Sequence, residues 1–289
     1  MGMFNTSHPP FFNPRLKTYS RGRLAVIYYV PKKSLKYNCW SDGFTAAMEI
    51  ISESWDIDWI HADGILPIKL MRRYDAIYVK SNWDWRVDQK VRKWSAFLSA
   101  PCFLVLSGSL PPPEPSKRKC YSHVFYETSW YGQWQEQMPS SSRAFGVNTD
   151  IYHPKPHTKK WDVIGVGALK AIKRWDRLAN RSGQKLLVGE AFGAEAEDIR
   201  DRLQNKGVEV REFQPPEKLR DLMLSSRLVY IPAELHGGGE RAVWEARACG
   251  LPVEVEADNP KLKSLLSEPI WDHSDYAQAL LKPLQLAGK

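Results

Sequence analysis

Cysteine is scarce in this sequence, with Cys39, Cys102, Cys120 and Cys249 the four among 289 residues. They lie far apart, with no CxxC pair and no histidine at ligand spacing. That argues against a disulfide framework or a zinc cluster, and predicts reduced thiols in a cytoplasmic protein. Long apolar runs are missing too. No segment approaches the roughly 18 to 20 apolar residues of a membrane span, and residues 1–22 lack an apolar stretch of signal-peptide length. The start MGMFNT matches a myristoylation pattern only at Gly2 and Thr6, so neither secretion nor lipidation is expected. Two glycine signatures are also absent. There is no GxxxxGK[ST], and GVGALKAIKRW (165–175) has Gly165 and Gly167 but Lys170 where the third glycine of GxGxxG belongs.

What is present is unevenly placed. The formal charge is +8, and residues 1–150 carry 19 Lys and Arg against 13 Asp and Glu, together with eight of the twelve tryptophans. A basic, aromatic-rich half fits an acidic or ring-bearing partner, although such charge also serves solubility alone.

Strand-like and helix-like runs alternate along the chain. RLAVIYYV (23–30), DIDWIHA (56–62), DAIYVKS (75–81) and CFLVLSG (102–108) read as strands. Residues 42–54 and 86–99, and a shorter piece at 66–74, read as helices. GSLPPPEPSKRK (108–119) interrupts the rhythm, because consecutive prolines impose an extended loop. A second series begins with the strand at 161–169. It continues through the helix 171–182, strand 185–191, helix 194–207, strand 208–213, helix 215–226 and strand 227–233. A glycine run, a helix to Gly250 and the strand 251–257 close it. Short apolar runs separated by helical periods predict parallel sheets covered on both faces. The expected class is α/β, with two Rossmann-like domains facing a cleft. The expected boundaries are a tail at 1–22, a first domain at 23–150, a second at 151–270, and a C-terminal helix at 271–289 returning toward the first domain.

The stretch PAELHGGGERAVWEARACGLPVEVEAD (232–258) concentrates the chemistry. Three glycines precede a helical run, so backbone N–H groups at a helix start can approach a phosphate closely. Arg241 lies in the first turn and adds a bidentate cation. Glu245, four residues on, shares its face and can accept from a sugar diol. A flexible glycine hinge followed by an ordinary intrahelical ion pair is the alternative.

ERAVWEARACGLPVEV resembles the helix-and-strand signature of GT-B glycosyltransferases, in the retaining group of glycogen-synthase-like and sucrose-synthase-like enzymes. Further pieces follow in the same order: AFGVNTDIYHP (144–154), VIGVGALKAIKRW (163–175), KLLVGEAFGAEAEDI (185–199) and LRDLMLSSRLVYIPA (219–233). The resemblance covers residues 142–258 and is topological before them. It implies a GT-B fold and transfer of a sugar from a UDP- or GDP-sugar co-substrate to an acceptor hydroxyl, with retention. No metal and no other cofactor would be required. It implies that Glu245 holds the ribose, that Lys173 neutralises the diphosphate, and that Gly238, Gly239 and Glu240 line the sugar and phosphates. Two departures stand out. The family's first glutamate would fall at Gly237, leaving Glu240 or Glu234 to substitute. Its arginine would fall at Ala168, leaving Arg174 or Arg241 to supply that charge. A degenerate protein that binds nucleotide sugars without turning them over is the alternative these departures keep open.

The resemblance assigns the first domain to the acceptor. Gly43 stands where the family has a glycine loop. Trp40, Trp83, Trp85, Trp130, Tyr131 and Trp134 offer stacking surfaces, and Lys80, Arg86 and residues 117–119 offer charge. Trp94 is expected in the core. Were the reaction inverting, a general base would be needed, with Asp42, Asp84 and Glu127 as candidates. The acceptor is expected to be a saccharide or small molecule, or double-stranded DNA with hydroxymethylated bases, which base flipping would expose.

Overall fold

The computed structural model describes residues 22–28, 42–62, 74–80, 85–95, 100–106, 120–138, 140–191 and 193–287. The chain forms two all-parallel sheets. The first contains β1 (Arg23–Tyr28), β2 (Asp56–His61), β3 (Ala76–Val79), β4 (Cys102–Val105), β5 (His123–Tyr126) and β6 (Ser141–Arg143), in the order β2-β1-β3-β4-β5-β6. The second contains β7 (Trp161–Val166), β8 (Lys185–Val188), β9 (Val208–Arg211), β10 (Ser226–Ile231) and β11 (Val253–Val255), in the order β11-β10-β7-β8-β9. β1 shows why the strands read as continuous apolar runs: Leu24 to Tyr28 are all buried, because both faces of the strand are covered. Two Rossmann-like halves are therefore present, as the alternation predicts.

The helices follow from their stripes and caps. α1 (Gly43–Ile51) starts where Asp42 accepts from the Thr45 amide. α2 spans Trp85–Ser95. α4 (Ala194–Asn205) buries Ala196, Ile199 and Leu203, a stripe at helical spacing, with Glu195 and Glu197 in its first turn. α5 (Pro216–Leu224) and α6 (Glu240–Ala248) flank β10. α7 (Pro260–Leu265) and α8 (His273–Ala287) finish the chain.

Three local expectations are corrected. The helix expected at 171–182 is a 3-10 turn (Ala171–Lys173), then α3 (Asp176–Ala179), broken where Arg174 takes the left-handed φ of 52°. The segment around Trp130, expected as a loop, is a 3-10 helix from Ser129 to Gln137. β5, β6 and α7 were not anticipated. β6 is a polar edge strand with no apolar signature, and hydroxyls flank it: His123 Nδ1 and Nε2 lie 3.0 and 2.9 Å from Ser140 Oγ and Ser142 Oγ. The expected helix at 66–74 lies almost wholly outside the described residues, and the proline loop entirely so.

Backbone packs on backbone where the halves meet. A methyl group on Gly43 would lie 1.7 Å from Gly146 O, and one on Gly146 would lie 2.2 Å from Asp272 O. Val147 N donates to Trp271 O at 2.9 Å, alongside a parallel bridge between Val147 and Asp272. The start of α1, the connection between the sheets and the entry to α8 thus stack directly. α8 lies along α1, and the Tyr78 hydroxyl donates to Leu280 O at 2.6 Å. Phe145 contacts both Trp244 and Tyr276, with ring centroids 6.1 Å apart in each case, so the apolar core runs on between the halves. Among the described residues, no helix is long and apolar enough to cross a membrane.

Candidate active site in the interdomain cleft

In each sheet the chain leaves a central strand in one direction and later returns to extend the other side. These reversals fall between β1 and β3 and between β7 and β10. Ligands of open α/β sheets collect beyond the strand ends at such points. Here the two points face one another across a cleft of about 340 Å³. Tyr28, Asp42, Gly43, Phe44, Lys80 and Glu127 line it from the first half. Phe145, Val166, Gly167, Lys173, Phe213 and residues 238–242 with Glu245 complete it. A larger open groove of about 970 Å³ beside α5 has no such convergence. Its Lys159 is occupied by Leu224 O and Ser226 O, so the cleft is the stronger candidate.

The loop before α6 is held from behind. Arg174 donates to Pro232 O (2.7 Å) and Ala233 O (3.1 Å), and grips both carboxylate oxygens of Asp258 at 2.6 and 2.8 Å. Asn259 Nδ2 donates to Ala233 O and Glu234 O at 2.9 and 3.0 Å. Glu234 N donates to Ile172 O at 3.0 Å, tying the glycine loop to the turn that carries Lys173. That tie leaves no room at position 237, where a Cβ would meet Ile172 O at 2.8 Å. Gly238 and Gly239 have φ of 69° and 119°, conformations that favour glycine.

This scaffold brings charges together. Lys173 forms no hydrogen bond or ion pair among the described residues, and burial lowers its pKa to about 8, against the pull of Glu240. A Cβ on Gly238 would lie 3.7 Å from both Lys173 Nζ and Glu240 Oε2. Glu240, the first residue of α6, pairs through Oε1 with Lys261, which is fully buried. Glu245 is buried and pairs with Arg241 (Nε to Oε1 3.1 Å), while its Oε2 lacks a hydrogen bond of good geometry. Burial raises the Glu245 pKa to about 7, with Arg241 opposing and Asp42 adding to the rise.

On the opposite wall, Lys80 is buried with its ammonium 3.7 Å from Glu127 Oε1 and 3.4 Å from the Tyr276 hydroxyl. The rings of Tyr28, Phe44 and Tyr276 surround it. Asp42 Oδ1 accepts from Thr45 N and Oγ1, and Oδ2 accepts from the Tyr28 hydroxyl at 2.9 Å.

The structure therefore gathers Asp42, Gly43, Lys173, Gly238, Gly239, Glu240, Arg241 and Glu245 from the anticipated set. Several expectations are corrected. Arg174 is turned to the back of the loop because Asp258 and two carbonyls take its guanidinium. Trp130 is half-buried against Trp134 and Tyr131, with centroids 4.6 and 5.2 Å away, and does not line the cleft. Lys80 is paired inside the cleft and does not lie on an open phosphate track. Glu234 is exposed, so Glu240 is the carboxylate beside the vacant glutamate position. Asp84, Trp40, Trp83 and residues 117–119 lie outside the described residues, as do the side chains of Trp85, Arg86 and Trp94. Lys261, Asn259, Tyr28 and Tyr276 were not anticipated. Only Asn259 carried a local signal, since Asn-Pro marks a helix start and its Oδ1 accepts from Leu262 N.

Two Rossmann-like domains facing each other across such a cleft define the GT-B fold class, and this chain has that fold. Solved structures similar to it include HepE (Alr3699) of Anabaena, in complex with UDP and glucose. That structure is 14% identical, with a TM-score of 0.63 over 91% of this chain and 90% of that one. Sucrose-phosphate synthase from Thermosynechococcus elongatus is 13% identical, with a TM-score of 0.61 over 93% and 91%. An alpha-glucosyltransferase in complex with UDP and a 13-mer DNA containing an HMU base is 12% identical, with a TM-score of 0.52 over 93% and 91%. At these identities the likeness is one of fold. The sequence matches no protein-family model and no curated protein.

Proposed function

We propose that this protein is a glycosyltransferase that moves a hexose from a nucleoside diphosphate sugar to an acceptor hydroxyl, with retention. The observation that carries the reading is Lys173, a cation without a partner among the described residues, beside the glycine-rich start of α6. The ribose diol then lies at Glu245, and the diphosphate between Lys173, Arg241 and the amides of residues 238–240. As the glycosidic bond breaks, the leaving diphosphate gains charge, which the two cations and the helix start stabilise in place. The departing phosphate oxygen takes the acceptor proton. Retention is supported by the state of two of the three base candidates, Asp84 lying outside the described residues: Asp42 has both oxygens engaged, and Glu127 faces Lys80.

The acceptor hydroxyl belongs to a saccharide or small molecule, or to a hydroxymethylated base in double-stranded DNA. The surplus of six positive charges in residues 1–150 supports DNA. The deciding experiment offers UDP- and GDP-sugars with glycans and, separately, hydroxymethylated duplex DNA, and reads the products by mass spectrometry. A mass gain of one hexose on either acceptor supports the reading. UDP or GDP binding without transfer to any acceptor would favour a non-catalytic nucleotide-sugar-binding protein.

A further inference from the structure

Two lysine–glutamate pairs, one from each half, each present a carboxylate to the cleft. Glu127 follows β5 and is paired with Lys80, and both side chains are about 5% exposed. Glu240 opens α6 and is paired with Lys261, with side chains 5% and 0% exposed. Glu127 and Glu240 both line the cleft. Glu240 commits one oxygen to Lys261 and turns the other over Gly238 toward Lys173.

We propose that Glu127 and Glu240, each paired with its own buried lysine, form opposite walls of the sugar subsite and select a neutral, hydroxyl-bearing hexose over a uronate. This rests on the nucleotide-sugar reading above. A carboxylate can only accept hydrogen bonds, so a pair of them is matched to hydroxyl groups on both edges of a pyranose. Each lysine fixes the direction of its carboxylate. A uronate would bring a third carboxylate between two that cannot move away, and its like charge is rejected. The lysines do not offset this, because Lys261 lies behind Glu240 and Lys80 is enclosed by Glu127 and three rings. The diphosphate is unaffected, since Lys173 and Arg241 receive it.

The test measures binding, so it needs no acceptor. Calorimetry on the full chain compares UDP with UDP-glucose and UDP-glucuronate, and GDP with GDP-mannose and GDP-mannuronate. The wild type should bind the neutral sugar about 100-fold more tightly than the uronate of the preferred nucleotide. Glu127→Gln should narrow that ratio at least about tenfold while the free nucleotide binds within about twofold of wild type, and Glu240→Gln should narrow the ratio as well. Wild-type binding of both sugars with equal affinity overturns the proposal without needing any variant to fold. A ratio unchanged in both variants overturns it as well. Binding of UDP or GDP with no sugar discrimination leaves the nucleotide site standing and removes only this subsite. Failure of both nucleotides to bind removes the nucleotide reading and the subsite together.

Discussion

Arg241 Nε lies 3.1 Å from Glu245 Oε1, one turn further along the same helix, and the carboxylate's second oxygen is buried without a hydrogen bond of good geometry. The side chains differ in exposure, 40% for Arg241 and 4% for Glu245. The guanidinium reaches toward the opening while the carboxylate stays deep. Such a carboxylate suits a ligand diol, whose donors would add to the Arg241 pair and the Tyr152 hydroxyl. Glu245→Ala should weaken UDP or GDP binding about 10- to 100-fold, from hydrogen bonds to a charged group worth about 1.5 to 3 kcal/mol. The melting temperature should hold or rise, since a desolvated carboxylate is removed. Unaltered nucleotide affinity in a folded variant would rule out the ribose role.

Lys173 carries a separable prediction. Lys173→Met should lower affinity for the nucleoside diphosphate at least about tenfold and leave the nucleoside itself unchanged, because the ammonium interacts with phosphate alone. Competition binding of UDP against uridine, or GDP against guanosine, reads the difference. Equal loss for both ligands would mean that Lys173 shapes the cleft and does not meet phosphate.

Acidity gives a third test. The Lys173 pKa is lowered to about 8 in the free protein by burial. A bound diphosphate raises it again, so binding takes up protons, and affinity falls as pH rises above about 8. The Glu245 pKa is raised to about 7. A diol favours the ionised carboxylate and lowers that pKa, so binding releases a proton there, and affinity falls as pH drops below about 7. Nucleotide affinity should therefore peak between these values. Titrations in buffers of different ionisation enthalpy should show net proton uptake on the alkaline side and release on the acidic side.

Gly43 answers to packing. A methyl group added there would meet the Gly146 carbonyl at 1.7 Å, within the backbone layer between the halves. Gly43→Ala should destabilise by about 3 kcal/mol or more, since backbone must shift in a close-packed region. Urea denaturation measures it. A wild-type midpoint would show that the connection between the sheets gives way easily.

Arg174 is predicted to act through the loop it holds. Arg174→Ala should cost about 1 to 2 kcal/mol, Asp258→Ala should lower the midpoint in the same direction, and the double variant should cost less than the sum of the two. The midpoint of chemical unfolding gives each term. Strict additivity would show that the bidentate pair does not couple the turn to the loop.

Much of this was legible because it depends on short-range pattern. Leu24 to Tyr28, buried on both faces, produces a continuous apolar run. Ala196, Ile199 and Leu203 produce a helical stripe, and the four-residue spacing of Arg241 and Glu245 produces their ion pair. Ser141 to Arg143 was not legible, because a polar edge strand leaves no apolar period. Arg174 misled because an arginine near a glycine loop reads as a phosphate ligand. Asp258, 84 residues away, is what turns it aside.

Residue order alone was enough for the alternation of strands and helices, the glycine-rich helix start and the shared face of Arg241 and Glu245, while Lys173 entered only through the resemblance. The former follow from backbone conformation and from spacing within one element. Which charges are paired is settled in three dimensions. Lys261 with Glu240 and Lys80 with Glu127 are buried partners 21 and 47 positions apart. Lys173 stays without a partner among the described residues, because the turn at Ile172 is tied to Glu234 and carries its ammonium over Gly238. A charge's role depends on its neighbours in space and on how far water is excluded from it. Neither is written in the order of residues along the chain.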